Sequence, residues 1–291
     1  MPEVIPETLT PAIVAVGMLQ LLLLLAGCVL LWRLVLRPEA RRHPRPAPAL
    51  GAWQLPIPEF LLVAFTVLAA GAGAQGALGL LGGALRQREI WIDGDLWIML
   101  NGVAFQLGML LGALAGWFFT RPRSTVATAG APSRRPVLAG VVTFVAMMPV
   151  LTAVNVAWTL LLDAAGLPID RQNAIGLFTN ADSPLELIVV TLLAVVIAPV
   201  VEELIFRAGL FRYLRTRTPR WIALVVPAVV FAALHVDWMT FSGLVAVAPL
   251  AALAVIFSLV YERTGRIAVT MIAHGLFNLN TILLLLAGVS A

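Results

Sequence analysis

The sequence predicts an all-α fold, a polytopic membrane bundle of about eight transmembrane helices, and three observations lead there. The chain of 291 residues is 61% hydrophobic and only 12% charged, with a mean hydropathy of +0.98. That is more apolar surface than a soluble domain of this size can hide, so much of it must face lipid or other buried helices. Apolar runs of about 20 residues recur along the chain, and inside a bilayer their backbone polar groups are satisfied only as helices. Basic residues, finally, gather in alternate loops, the pattern of a chain that crosses a membrane repeatedly.

Taken in order, spans are expected at about 12–36, 59–85, 96–119, 137–162, 185–206, 221–241, 243–261 and 267–288. The first run is long and has no basic segment before it, so it is read as a retained helix rather than a cleaved signal peptide. Its Cys28, the single cysteine, sits among leucines and is read as packing. Between spans one and two, RPEARRHPRPAPAL (37–50) reads as a flexible connection, and RPRSTVATAGAPSRRP (121–136) reads the same way after span three. Span two contains AAGAGAQGALGLLGGAL, a composition suited to close helix–helix approach. Gln75, Asn101, Gln106 and Asn155 are expected to bond neighbouring helices. The 163–184 loop is placed at the outer interface. No internal repeat is visible.

All nineteen basic residues are arginine. Without lysine, a Ser–Lys dyad or a Schiff-base mechanism is excluded. Sixteen of the nineteen fall after spans one, three, five and seven, which puts these loops in the cytoplasm and both termini outside. The sequence pI near 10.5 comes from these loops and carries no nucleic-acid signal.

After residue 184 the character changes. Polar side chains enter the spans at helical spacing in EELIFR (202–207), FAALH (231–235) and HGLFN (274–278). An ionisable residue within a span costs about 2.5–3.5 kcal/mol, so it marks function and needs a partner. Glu203 and Arg207 stand four apart with the acid first, the favourable order for a helical ion pair. Glu202, rotated by about 100°, is left as the carboxylate able to take a proton from water. His235 shares a face with Phe231, and His274 shares one with Asn278. An imidazole and an amide on one face are two donors that could hold a developing oxyanion. Pro199 and Pro227 are expected to bend their helices and open space beside the site.

These three motifs, in this order, resemble the EExxxR, FxxxH and HxxxN signature of the CAAX protease and bacteriocin-processing (CPBP, or Abi) family, which includes type II CAAX prenyl endopeptidases. The resemblance covers about 185–285, so residues 185–291 are expected to form the catalytic core. Residues 1–184 form a transmembrane region of about four spans with no assignable motif. The resemblance implies a glutamate-dependent intramembrane endopeptidase. Glu202 would activate the attacking water, His235 would share or orient it, and His274 with Asn278 would form the oxyanion hole. Glu203, Arg207 and Phe231 would organise the site. No cofactor and no metal are implied. The expected partners are membrane lipid and a peptide or protein substrate, lipidated and membrane-embedded ones included, with no nucleic acid. The expected location is a prokaryotic plasma membrane.

Span five is expected to end near residue 206, so Glu202 falls near the cytoplasmic face, and cleavage is expected there. His235 is then roughly 20 Å up span six. Those depths meet only if 208–220 re-enters the bilayer or if tilt and the Pro227 bend lower His235. The alternative function is a non-catalytic membrane scaffold, or an immunity or partner-binding member of the same family. Proton-coupled transport is a third reading, weakened by the absence of repeated halves. Other proteolytic chemistries fit less well. There is no HExxH helix. Ser242 lacks the surroundings of a rhomboid nucleophile, and Asp93 and Asp95 have no intramembrane partner.

Overall fold

The computed structural model describes residues 10–39, 50–88, 94–120, 135–167, 169, 183–241 and 243–288. Most of the two linkers and of the 163–184 loop lies outside the described residues, as do Asp93 and Ser242. The described chain is a bundle of eight helices: α1 (Pro11–Leu31, running on to Leu36), α2 (Ile57–Gln87), α3 (Gly94–Thr120), α4 (Pro136–Ala164), α5 (Pro184–Arg217), α6 (Arg220–Ala233), α7 (Leu244–Thr264) and α8 (Ile267–Leu286). Seven are long and apolar enough to cross a membrane, and the chain is an integral membrane protein. The exception is α6, with 14 residues.

Helix starts follow local chemistry. Thr10 accepts from the Ile13 N–H at 3.3 Å and Ser183 from the Glu186 N–H at 3.2 Å, each followed by proline at the first helical position. Packing then depends on small residues. A Cβ on Gly108 of α3 would lie 2.4 Å from the Ala70 carbonyl of α2, so glycine permits this hairpin. In α2 itself the expectation is half met. Gly71 and Gly82 are packed, but Gly73, Gly76, Gly79 and Gly83 face open space.

The amides also behave differently from expectation. Asn101 bonds the Trp97 carbonyl of its own helix, Gln106 Oε1 is buried without a hydrogen-bond partner, and Gln75 and Asn155 face outward. The interhelical amide pair is instead Gln20 with Asn280. Gln20 Nε2 donates to Asn280 Oδ1 at 2.7 Å, and Asn280 Nδ2 donates back at 3.3 Å. Because α1 is otherwise almost wholly exposed, this reciprocal pair and the contact of Gly27 with Val145 and Pro149 dock it on the bundle.

The largest departure concerns α5. Its helix does not stop near residue 206 but continues to Arg217. Arg212, Arg215 and Arg217 on the extension each find an acceptor, so charge does not interrupt it. Arg212 Nε donates to the Gly51 carbonyl at 2.9 Å, Arg215 Nε reaches Glu262 at 2.6 Å, and Arg217 donates to the carbonyls of Trp53 and Leu55. The segment 50–56 is thereby strapped across the end of α5. Trp53 N donates to Thr216 Oγ1 at 3.0 Å, and Phe60 stacks on Tyr213 at 3.7 Å.

This extension removes the conflict of depth. Glu202 lies fifteen residues before the end of α5, and His235 lies fifteen after the start of α6. Both are about 22 Å from the turn that joins the helices. Neither a re-entrant 208–220 helix nor a bend at Pro227 is needed.

Candidate functional site

The site is assembled on an irregular helix. Within α5, residues Leu193–Ile197 and Leu204–Phe211 adopt π-helical turns, with the short α-helical segment Ala198–Glu203 between them. Such wide turns leave carbonyls available to side chains of other helices and recur at functional sites. Pro199, which has no N–H to donate, falls just after the first wide turn. On the facing helix α8, Asn278 Nδ2 donates to the Ala194 carbonyl at 2.7 Å. One turn away, Gly275 lies against the next carbonyl, and a Cβ there would stand 2.5 Å from Val195 O. The space expected beside Pro199 is thus occupied by the crossing of α8, which brings His274 to the two glutamates.

At the centre, Arg207 Nη1 is 2.9 Å from Glu203 Oε1, the i,i+4 pair expected from the sequence, and both side chains are essentially fully buried. The contact lies outside hydrogen-bonding geometry: Arg207 Nη1 and Nη2 and Glu203 Oε2 have no hydrogen-bond partner. The guanidinium instead lies over two rings, 4.8 Å from the Phe231 centroid and 5.3 Å from that of Phe257. Such contacts gain strength away from water.

Glu203 has a second task. His274 Nδ1 lies 3.0 Å from Glu203 Oε1. An ionised carboxylate only accepts, so Nδ1 carries the hydrogen and Nε2 is turned toward Glu202. His274 Nε2 stands 3.7 Å from Glu202 Oε2, beyond a direct hydrogen bond. Glu202 is the half-open member of the group, its side chain 16% exposed against 0% for Glu203. The division between a paired and a solvent-reaching carboxylate is therefore present in the geometry.

His235 is placed by the end of α6. That helix stops at Ala233, and the imidazole turns back so that Nδ1 donates to the Phe231 carbonyl at 2.7 Å. Phe231 stands between the two imidazoles, with ring centroids 4.6 Å from His235 and 6.2 Å from His274. Phe206 meets it edge-on at 5.1 Å.

All seven residues expected at the site thus lie on α5, on α8 and at the end of α6. Glu202, Glu203, Arg207 and His274 form one connected cluster, which Phe231 extends to His235. Asn278 is tied to the α5 backbone four residues beyond His274. Sequence reasoning missed Phe257, on α7, which also packs on the His274 ring at 5.4 Å. Nothing near it in the sequence distinguishes it from any core phenylalanine. Among the described residues, no group of three or more His, Cys, Asp or Glu side chains is arranged to hold a metal ion.

All of these positions except Phe257 carry the three motifs, and known proteins share the region that contains them. Residues 184–280 match the model of a protein family described as Rce1-like, the type II CAAX prenyl endopeptidases. The C-terminal third of the chain is thus similar to that family. The matched region begins at the first residue of α5 and ends within α8, so it encloses every residue of the site. The UPF0177 protein YbdI of Lactococcus lactis subsp. lactis (strain IL1403) is 32% identical over 92 residues, which are 31% of this chain and 45% of YbdI. The chain therefore spans less than half the length of this curated relative. No solved structure matches.

Beyond the site, toward the arginine-bearing end of α5, the bundle is solid. Phe211, Ala223 and Tyr261 are buried there with Leu50, Ala208, Leu214, Leu224 and Ile267 packed against them. Glu262 completes that end, accepting from Arg215 at 2.6 Å and from Arg220 at 2.7 Å.

Proposed function

We propose that the protein is an intramembrane endopeptidase that hydrolyses a peptide bond with a water activated by Glu202. The single observation that carries this reading is the difference in burial and partners between adjacent carboxylates. Glu203 is buried against Arg207 and His274, while Glu202 keeps access to solvent beside the same imidazole. The Rce1-like match over the same residues supports the reaction class.

In the proposed sequence, Glu202 takes a proton from water as the oxygen attacks the carbonyl carbon. His235, with Nδ1–H committed to the Phe231 carbonyl, orients that water through Nε2. The carbonyl oxygen becomes an oxyanion. It is held by the second amide hydrogen of Asn278, whose first is on Ala194, and by His274 when Nε2 is protonated. Glu202 then delivers its proton to the leaving nitrogen as the C–N bond breaks. Glu203 and Arg207 fix His274, and Phe231 and Phe257 keep their surroundings dry. In this proposal the bond is cleaved at the level of Glu202, about 22 Å along the helix from the arginine-bearing end of α5. Substrates are peptides or proteins already in the membrane, lipidated ones included, in a prokaryotic plasma membrane with the arginine-rich loops cytoplasmic.

The test is cleavage of membrane-embedded peptides by purified protein in vesicles. Loss of cleavage in Glu202→Gln and His274→Ala, with folding retained, supports the proposal. Retained cleavage in either refutes these roles. Full function of Glu202→Gln in a cell whose own copy is deleted would favour a non-catalytic membrane scaffold.

A further inference from the structure

Helix α8 brings a third polar side chain to the face that carries its motif. His274 and Asn278 stand one turn apart and both face α5, the first against Glu203 and the second against the Ala194 carbonyl. Thr270 stands one turn before His274, and the i, i+4 spacing puts it on the same face. Its side chain is completely buried and within hydrogen-bonding reach of the Glu203 carboxylate. The proposed reaction gives it no part.

The Thr270 hydroxyl is held differently from those of other helical threonines. Thr66, Thr120, Thr264 and Thr281 each donate to the carbonyl four residues back. Four residues before Thr270 is Arg266, whose backbone is extended at the start of α8. Thr270 Oγ1 therefore donates to Ile267, three residues back, at 2.9 Å. A hydroxyl hydrogen turns about its C–O bond, and here two acceptors lie within its range, the Ile267 carbonyl and the Glu203 carboxylate. The carboxylate has room for a further donor. Oε1 faces both Arg207 Nη1 and His274 Nδ1, whereas Oε2 is buried with no hydrogen-bond partner among the described residues. The terminal torsion of a glutamate is soft, so a carboxylate held at one oxygen swivels, and a swivel carries Oε1 away from His274. A hydroxyl beside the carboxylate opposes that motion.

We propose that Thr270 is a positioning residue of this site: its hydroxyl steadies the Glu203 carboxylate against His274 Nδ1, and so helps to set which ring nitrogen of His274 carries the hydrogen. The positioning stands on these contacts alone. Its effect on cleavage rests on the hydrolase reading, in which a protonated His274 holds the oxyanion and the carboxylate at Nδ1 stabilises that imidazolium. The contribution is then made in the transition state and not in substrate binding.

The test is nitrogen NMR of the full chain in detergent micelles, with isotope-labelled histidine. In a neutral imidazole the two nitrogens resonate far apart when one carries the hydrogen, so the spectrum reads the tautomer. His274 is assigned by the signals lost in His274→Gln. The parent should show His274 with its hydrogen on Nδ1. Thr270→Val keeps the shape and removes only the hydroxyl. It should give both neutral tautomers, and Thr270→Ser should restore the parent spectrum. In peptide cleavage, Thr270→Val should lower kcat by about 10- to 100-fold, as for groups that orient metal-bound histidines, with KM unchanged and most of the rate recovered in Thr270→Ser. A single Nδ1–H tautomer in Thr270→Val overturns the proposal. So does the Nε2–H form in the parent, and so does a mixture in Thr270→Ser, which would assign the effect to packing. Where Thr270→Val does not fold, Thr270→Ala is compared with Thr270→Ser on the same criteria. The spectrum needs no turnover, so a protein that cleaves nothing sinks the hydrolase reading while the tautomer still decides this one.

Discussion

His274 Nδ1 lies 3.0 Å from Glu203 Oε1, inside a core where both side chains are almost completely excluded from solvent. That contact joins the second motif glutamate to the last helix, and it makes one carboxylate serve both an arginine and an imidazole.

Removing one partner of the buried pair should be severe. Arg207→Ala leaves Glu203 charged and uncompensated, and the expected loss is about 3–5 kcal/mol of stability. Thermal unfolding in detergent should show it. A change under about 1 kcal/mol would mean that the pair is not the keystone of this core.

Glu202→Gln should behave oppositely. The side chain is partly exposed and makes no direct hydrogen bond to His274, so stability should stay within about 0.5 kcal/mol of the parent. Hydrolysis should fall by at least about 10²-fold, the contribution of a positioned general base. Parallel unfolding and peptide-cleavage assays separate the two effects.

The crossing of α8 over α5 should be sensitive to one methyl group. In Gly275→Ala the new Cβ would stand 2.5 Å from the Val195 carbonyl, and the helices must part. A loss of about 1–3 kcal/mol is expected. Gly73→Ala, where nothing lies within 4 Å, should instead be neutral or stabilising by up to about 1 kcal/mol. Equal effects of the two substitutions would contradict the packing described.

Docking of α1 should depend on one amide pair. A double-mutant cycle of Gln20→Leu and Asn280→Leu should give a coupling of about 0.6 kcal/mol, and no more than about 1.7. Zero coupling would show that α1 is held by its apolar contacts alone.

The motif residues were legible in the sequence because an acid, an arginine or a histidine is conspicuous in an apolar run. The i,i+4 spacing of Glu203 and Arg207 also predicted their pairing directly. Phe257 and the Gln20–Asn280 pair were not legible. A phenylalanine is unremarkable in such a chain, and Gln20 and Asn280 are 260 residues apart. The end of α5 was misplaced for a related reason. Arginines at 212–217 resemble a cytoplasmic loop until their acceptors are seen, and those acceptors lie on the 50–56 strap and on α7.

By itself the sequence determined that this chain is a helical membrane protein and which polar side chains its interior must accommodate. Both follow from the cost of placing polar groups in hydrocarbon, a property of composition and local spacing. Tertiary structure alone decided the depth of Glu202 and His235, the acceptor that sets the hydrogen on His274, and the closeness of α8 to α5. These depend on contacts between residues far apart in the chain, and no local pattern encodes which donor will meet which acceptor.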